Sequence, residues 1–386
     1  MAKLGRDERE LETLGALATA REIEQQPAML RKTHEMLRTR QDALNNFLRP
    51  LLQRDSIRVV LAGAGTSSFI GECLAPYLAS FLPCRVEAIA TTDLVSAPAL
   101  YFEESPPTLL VSFGRSGSSP ESVAAVDLAN RLLPRVFHLA ITCNGEGLLA
   151  RRLEAATNAM TILLPEETND RSFAMTSSFS CMTYAALAAF SGIEKMAPRI
   201  EPMAEAVQTV IAEKARLMRA LAQAGYERAV YLGSHMFKSL AREAALKLLE
   251  LSDGRIIAMH DSSLGFRHGP KVVINDRTLV VIFLSNAAYT RSYDTDLLQE
   301  IRRDGKAGNI VAITAREEGV PTGVECILIP SMADAQDIDL LLPFIIAPQI
   351  FAFEASLSFG LSPDNPNKSG IVNRVVQGVR IHALES

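Results

Sequence analysis

The feature that most restricts this chain is a pattern that runs twice. Short β-branched runs alternate with helical segments, first between Ile57 and Leu164 and again between Ala229 and Ile329. Strands are expected at Ile57–Ala62, Arg85–Ala90, Thr108–Phe113, Val136–Thr142 and Met160–Leu164. The second series falls at Ala229–Leu232, Ile256–Met259, Thr278–Leu284, Ile310–Thr314 and Cys326–Ile329. Helices are expected from about Pro120, near 174–190, over Ser239–Leu251 and near 338–358. Such alternation makes a parallel sheet covered by helices on both faces, because parallel strands are joined by crossovers that pack on the sheet. The first turn of each series, Gly63-Ala64-Gly65-Thr66-Ser67 and Gly233-Ser234-His235, falls at a corresponding place. The chain therefore reads as an α/β protein with an internal duplication.

A length of 386 residues suits two domains of ordinary size. The texture changes after Asp55, so the expected division is a helical segment 1–53, an α/β domain 54–197, a connecting helix 198–224, a second α/β domain 225–360 and a tail 361–386. A net charge of -5 argues against a general nucleic-acid binder, which needs a basic footprint. Residues 7–53 are also not basic enough to favour a DNA-binding helix-turn-helix. The five cysteines are scattered and never spaced C-x-x-C, so reduced thiols are expected rather than a disulfide framework or a zinc site. The first ten residues are charged and lack the apolar core of a signal peptide. The most apolar run, Leu340 to Phe353, is interrupted by Pro343, Pro348 and Gln349 and is short for a membrane span; it reads as a buried helix. A cytoplasmic protein is the expectation.

Two loops carry the chemistry. In an open parallel sheet, ligands sit at the carboxyl ends of the strands. Gly63-Ala64-Gly65-Thr66-Ser67-Ser68 lies there, where glycine lets the backbone approach a ligand and free N–H groups at a helix start attract an anion. The third strand ends in Ser112-Phe113-Gly114-Arg115-Ser116-Gly117-Ser118-Ser119-Pro120, a second hydroxyl-rich loop. A dinucleotide site would need Gly at position 68 and an acidic residue ending the second strand. The sequence has Ser68 and Ala88-Ile89-Ala90-Thr91 there, and no Walker G-K-[ST] follows. The bland alternative is a pair of Ser-capped turns.

Gly65-Thr66-Ser67 and Ser116-Gly117-Ser118-Ser119-Pro120-Glu121 resemble the signatures of SIS (sugar isomerase) domains. Arg242 to Leu251, with Gly265-Phe266-Arg267-His268-Gly269-Pro270-Lys271, resembles the isomerase half of glucosamine-6-phosphate synthase. Arg21-Glu22-Ile23-Glu24-Gln25-Gln26-Pro27, Ser112 to Gly117, Ser362-Pro363-Asp364-Asn365-Pro366 and Val372 to Gly378 resemble the AgaS family, nearly end to end. Its members are named galactosamine-6-phosphate deaminase/isomerases or tagatose-6-phosphate ketose/aldose isomerases. The resemblance implies two flavodoxin-like SIS domains, each a parallel sheet sandwiched by helices, in a cytoplasmic homodimer or higher homo-oligomer. It implies an aldose–ketose isomerisation of a sugar phosphate, with loss of ammonia when C2 carries an amine. It implies no metal or organic cofactor, no nucleic acid and no membrane.

Such a reaction must open the pyranose, move a proton between C1 and C2, and hold the phosphate. By resemblance to the synthase, Glu250 is the candidate C1–C2 base and His268 the ring-opening group, whose ordinary pKa suits proton exchange near neutral pH. Glu243 lies two helical turns before Glu250 on the same face and is a candidate for orienting the sugar. Lys368 lies in the tail that the resemblance makes part of the active site. Gly65, Thr66, Ser67, Ser112, Ser116 and Ser119 are the candidate phosphate ligands. Against this, Glu243 and Glu250 could be ordinary exposed helix charges, Glu243 forming an i,i+4 pair with Lys247, and His268 a buried histidine satisfied by backbone. His34, His138, His235, His260 and His382 show no metal spacing and read as structural. The synthase feeds on glutamine through an N-terminal Cys nucleophile, and this chain has no Cys before Cys73. His235 stands where many SIS first turns have Gly, so the second loop is expected not to bind phosphate as the first does. Three functions compete: the deaminase/isomerase, an isomerase without deamination, and a non-catalytic sugar-phosphate sensor.

Overall fold

The computed structural model describes residues 2–53, 56–376 and 378–384; Asp55 at the expected domain start and Gln377 of the tail motif lie outside them. The chain opens with a hairpin of two-residue strands, β1 (Ala2–Lys3) and β2 (Arg6–Asp7), and four helices, α1 (Glu8–Leu14), α2 (Leu17–Glu24), α3 (Gln26–Thr39) and α4 (Gln41–Leu52). Local chemistry sets their ends. Asp7 accepts the Arg9 N–H to cap α1, and Gly15 closes it in the left-handed region at φ +63. In α4 the buried residues are Leu44, Leu48 and Leu51, one stripe at helical spacing.

The first α/β series follows: β3 (Arg58–Gly63), α5 (Thr66–Ala79), β4 (Arg85–Ala90), α6 (Thr91–Ser96), α7 (Pro98–Tyr101), β5 (Thr108–Gly114), α8 (Pro120–Leu132), β6 (Val136–Thr142), α9 (Leu148–Leu153), β7 (Ala159–Leu163) and α10 (Ser177–Ser191). After α11 (Ile193–Ala222) comes the second: β8 (Arg228–Gly233), α12 (Met236–Leu251), β9 (Ile257–Asp261), β10 (Thr278–Phe283), α13 (Ala288–Asp304), β11 (Asn309–Thr314), β12 (Glu325–Leu328) and α14 (Asp337–Ser358).

Both sheets have five strands, paired in parallel throughout, in the orders β4-β3-β5-β6-β7 and β9-β8-β10-β11-β12. Numbered within each series, both are 2-1-3-4-5, the flavodoxin order, so the expected duplication is present in the topology itself. Central strands such as β3, β5 and β10 are buried along their whole length and read as continuous apolar runs; edge strands β4 and β9 are part-exposed. All ten expected strands are present, with ends within about two residues. The expected helices are also there, the connecting one as α11. The sequence reading missed α13, α9, the short α6 and α7, and the opening hairpin.

The chain divides into two compact units. The first-sheet unit holds Met29–Asp170, Ser177–Pro198 and Ser369–Ser386; the second-sheet unit holds Met1–Ala28, Arg171–Thr176 and Arg199–Lys368. In the second-sheet unit, the carboxylates of Glu22 and Glu354, which are buried, and of Asp364, which is half-buried, tie distant segments together. Glu22 accepts the N–H groups of Arg171 (2.5 Å) and Ser172 (3.1 Å) and the Ser172 hydroxyl. Asp364 accepts from Ala18 N (3.1 Å), Thr19 N (2.8 Å) and Thr19 Oγ1 (2.7 Å), and Phe173 N–H donates to its carbonyl. Glu354 receives both Arg6 and Arg219. Among the described residues α14 is the one helix long and apolar enough to cross a membrane, and it is almost wholly buried inside the protein, as the sequence reading expected of 340–353.

Candidate active site

In the first-sheet unit, the turn after β3 is built around Gly65, at φ +56 and ψ -130, a conformation L-residues avoid. Gly63 is needed for space: a Cβ there would lie 2.5 Å from the Ser67 backbone. The turn starts α5 with Thr66, Ser67 and Ser68 all buried. Ser67 N–H donates to Ala64 O (3.2 Å) and Ser68 N–H to Gly65 O (2.9 Å), so those two amides serve the turn itself. Ser112 lies on the adjacent β5, in register with Ala62. It is buried, and its hydroxyl has no hydrogen-bond partner among the described residues. A buried hydroxyl left unmet costs about 1–3 kcal/mol, the kind of debt a ligand oxygen would remove.

The loop beyond β5 is held from outside and within. Asn144 Nδ2 donates to Ser116 O at 3.1 Å, the Ser118 N–H donates to Ser116 Oγ at 3.3 Å, and Gly117 takes φ +61. Ser119 caps α8: its Oγ accepts the Ser122 N–H at 3.3 Å and lies 2.8 Å from Ser122 Oγ. Its hydroxyl is thus already employed, whereas Ser112 is not. Sequence reasoning gave no role to Arg115, which is buried in this loop and donates to Arg374 O at 2.7 Å. Arg374 in turn donates to Asp170 O and Asn169 Oδ1 (3.2 Å). Asp170 caps α10, accepting Ser178 N–H at 2.9 Å. A cation at the base of a hydroxyl-rich loop was the available signal. Burial pushes the nearby Cys143 thiol up to about 12, so it is no thiolate nucleophile.

In the second-sheet unit, Glu243, Lys247 and Glu250 line one face of α12. Glu243 and Lys247 are buried, so the exposed-pair reading of them does not hold. The Lys247 ammonium stands 3.7 Å from Glu243 Oε1 and pairs closely with Glu250 Oε2. Glu250 is partly exposed, with a side chain 22% accessible. The result is one buried ammonium between two carboxylates, one sealed and one reaching solvent. Sequence reasoning treated Lys247 only as a surface partner of Glu243. His268 ends a short 3-10 turn, Gly265–His268, followed by Gly269 at φ +128. Its side chain is exposed and has no hydrogen bond or ion pair among the described residues. Lys368 is exposed as well, in a segment where Asn367 Nδ2 donates to Asp253 Oδ1 at 2.7 Å. The four candidate catalytic residues thus all belong to the second-sheet unit and the six candidate phosphate ligands to the first-sheet unit. Among the described residues, no three His, Cys, Asp or Glu side chains are grouped so as to hold a metal ion.

Two sheets in flavodoxin order, with a glycine turn and a serine-rich loop on adjacent strands of the first, define an SIS-domain protein, and the SIS domain family matches residues 52–192. A D-galactosamine-6-phosphate deaminase AgaS of Escherichia coli is 44% identical over 369 residues, covering 95% of this chain and 96% of that protein. A Streptomyces coelicolor protein bearing the AgaS name is 48% identical over 371 residues, 96% of each chain. The crystal structure of a tagatose-6-phosphate ketose/aldose isomerase from Escherichia coli superposes with a TM-score of 0.88 at 41% identity, covering 95% of this chain and 97% of that one. The chain belongs to the AgaS family.

Proposed function

We propose that this protein is an amino-sugar phosphate deaminase/isomerase that converts galactosamine 6-phosphate and water to tagatose 6-phosphate and ammonia. The observation that carries the reading is the Glu243–Lys247–Glu250 row, with Glu250 held by a buried ammonium yet reaching solvent. The names of the AgaS relatives support the substrate. In this reading His268 opens the ring, moving a proton between the C1 hydroxyl and the ring oxygen. Glu250 takes the C2 proton from the open aldehyde, leaving an enolamine, and returns it to C1. The product is a ketimine at C2, which water hydrolyses to the ketose with release of ammonia. Lys247 fixes one Glu250 oxygen, and Glu243 balances the ammonium from the buried side, because an unpaired buried charge is costly. Ser112, with Thr66, Ser67, Ser116, Ser119 and the Gly65 turn, is the proposed phosphate set, and the orphaned Ser112 hydroxyl supports it. Lys368 is proposed as a further sugar contact.

The experiment is ammonia release from galactosamine 6-phosphate, with glucosamine 6-phosphate and tagatose 6-phosphate in parallel and Glu250→Gln as control. Ammonia lost in the control supports the deaminase and the role of Glu250; silence on both amino sugars removes it. A second reading, isomerisation without deamination, is favoured by the name of the Escherichia coli crystal structure, and turnover of tagatose 6-phosphate alone would select it. None of the five cysteines forms a disulfide among the described residues, which supports a reducing cytoplasmic setting. We read the assembly as a homodimer or larger homo-oligomer; light scattering showing a monomer would end that reading.

A further inference from the structure

The two sheets share one strand order, and their first turns share one backbone conformation. His235 sits at φ +37 and ψ -106 where Gly65 sits at φ +56 and ψ -130. The replacement of Gly by His therefore does not reshape the second turn; the helix start is presented as in the first sheet. What differs is the surroundings. Ser112 pairs with Ala62 and Ile282 with Leu232 in matching registers, so three residues on, Arg115 corresponds to Ser285. In the first-sheet unit that position is a cation. In the second-sheet unit it is a serine bound to two carboxylates.

The donors at the second edge are many, and the chain itself uses them. Asp294 of α13 accepts the hydroxyls of Ser234 and Ser263, both at 2.5 Å, and the Ser285 N–H at 3.1 Å. Asp337, at the start of α14, accepts the Ser285 hydroxyl at 2.5 Å and the Asn286 N–H at 2.7 Å, with His235 Nε2 at 3.8 Å. These hydroxyls and amides come from the carboxyl ends of β8, β9 and β10, where a parallel sheet receives its ligand. The Asp337 carboxylate also lies in the first turn of a long helix, a favourable place for an anion.

We infer that the second sheet keeps the anion-binding edge of a SIS domain but fills it with its own carboxylates, Asp337 and Asp294, so that each chain takes one sugar phosphate, at the first sheet. The inference rests on reading the first-sheet edge as the phosphate site. An incoming phosphate at the second edge would meet two carboxylates and donors already engaged. Burial raises the Asp294 pKa, and the hydrogen bonds from Ser234, Ser263 and the Ser285 N–H oppose that shift by favouring the carboxylate.

Removing the resident anion should let an external one take its place. Asp337→Ala leaves the Ser285 hydroxyl and the Asn286 N–H unmet. It should lower Tm, and inorganic phosphate should restore it saturably, by more than it shifts wild-type Tm and more than potassium chloride at equal ionic strength. Asp337→Asn, which still accepts the Asn286 N–H, should gain little from phosphate. A phosphate response of Asp337→Ala equal to that of wild type overturns the inference. Should that variant not fold, a wild-type crystal soaked in selenate decides: selenate bound to Ser285 and Asn286, or absent from both edges, overturns it, and selenate at the first edge alone upholds it. Neither readout uses sugar turnover, so failure of the ammonia assay would leave this inference standing, and the reverse also holds.

Discussion

His138 offers a quantitative test of how the first-sheet unit is held together. It lies on β6 between β5 and β7, in register with Leu110 and Ala159, and is buried. Its Nε2 is 2.9 Å from Asn130 Oδ1, an acceptor, so Nε2 carries the hydrogen; Nδ1 has no partner among the described residues. Protonation would place a second N–H, and a charge, where nothing accepts them. Burial accordingly pushes the imidazole down from 6.5 to about 4. The sign follows directly. The unfolded chain takes up the proton near pH 6.5 while the folded one resists until about pH 4. Stability from neutral His138 is therefore fully present above pH 6.5 and is lost as pH falls toward 4. The full loss is about 3 kcal/mol at about 1.4 kcal/mol per pH unit. The assay is histidine NMR on ring-labelled protein, with the His138 signal assigned by its absence in His138→Gln. Melting of both proteins from pH 8 to 4.5 supplies the stability difference. The expected result is a His138 midpoint well below 6.5, and a wild-type advantage that shrinks as pH falls below 6.5. A His138 midpoint near 6.5, or a difference that does not change with pH, would refute the reasoning.

Two further outcomes follow from groups the fold leaves unusual. Tyr231 is fully buried among Met218, Leu279, Val311 and Phe351, its hydroxyl has no partner among the described residues, and burial raises its pKa. Tyr231→Phe should therefore stabilise the second-sheet unit by about 1 kcal/mol, a Tm gain of about 2–4 °C by calorimetry; a loss of stability would show that the phenol is satisfied. Gly65→Ala meets no atom within 4 Å, so its cost is torsional, about 1–3 kcal/mol. Steady-state kinetics should show a raised KM for the sugar phosphate with a smaller change in kcat, and an unchanged KM would remove the turn from the phosphate site.

Much of the fold was legible because its signals are local. Central strands of a parallel sheet are buried on both faces, so β3, β5 and β10 appear as unbroken apolar runs. Helix α13 was not legible: Ala288–Asp304 is dominated by polar residues, and only Leu297, Leu298 and Ile301 provide an apolar anchor at helical spacing. The loops around Gly65 and Ser112 announced themselves through glycine and clustered hydroxyls. Which hydroxyl stays unengaged did not, since Ser119 is consumed as a cap while Ser112 is not, and that depends on neighbours beyond the loop.

The sequence by itself determined the duplicated α/β pattern, the two glycine-bearing turns, and the shared face of Glu243, Lys247 and Glu250, because strand period, turn torsions and helical spacing are properties of adjacent residues. Tertiary structure decided whether that face is wet or dry, and it is buried at Glu243 and Lys247, which turns a surface pair into a charged row beneath Glu250. It likewise decided that Asp364 binds Ala18 and Thr19, and that Asp294 and Asp337 close the second sheet's edge. A carboxylate's role depends on which donors surround it, and those donors come from residues tens to hundreds of positions away, brought together only when the sheets form.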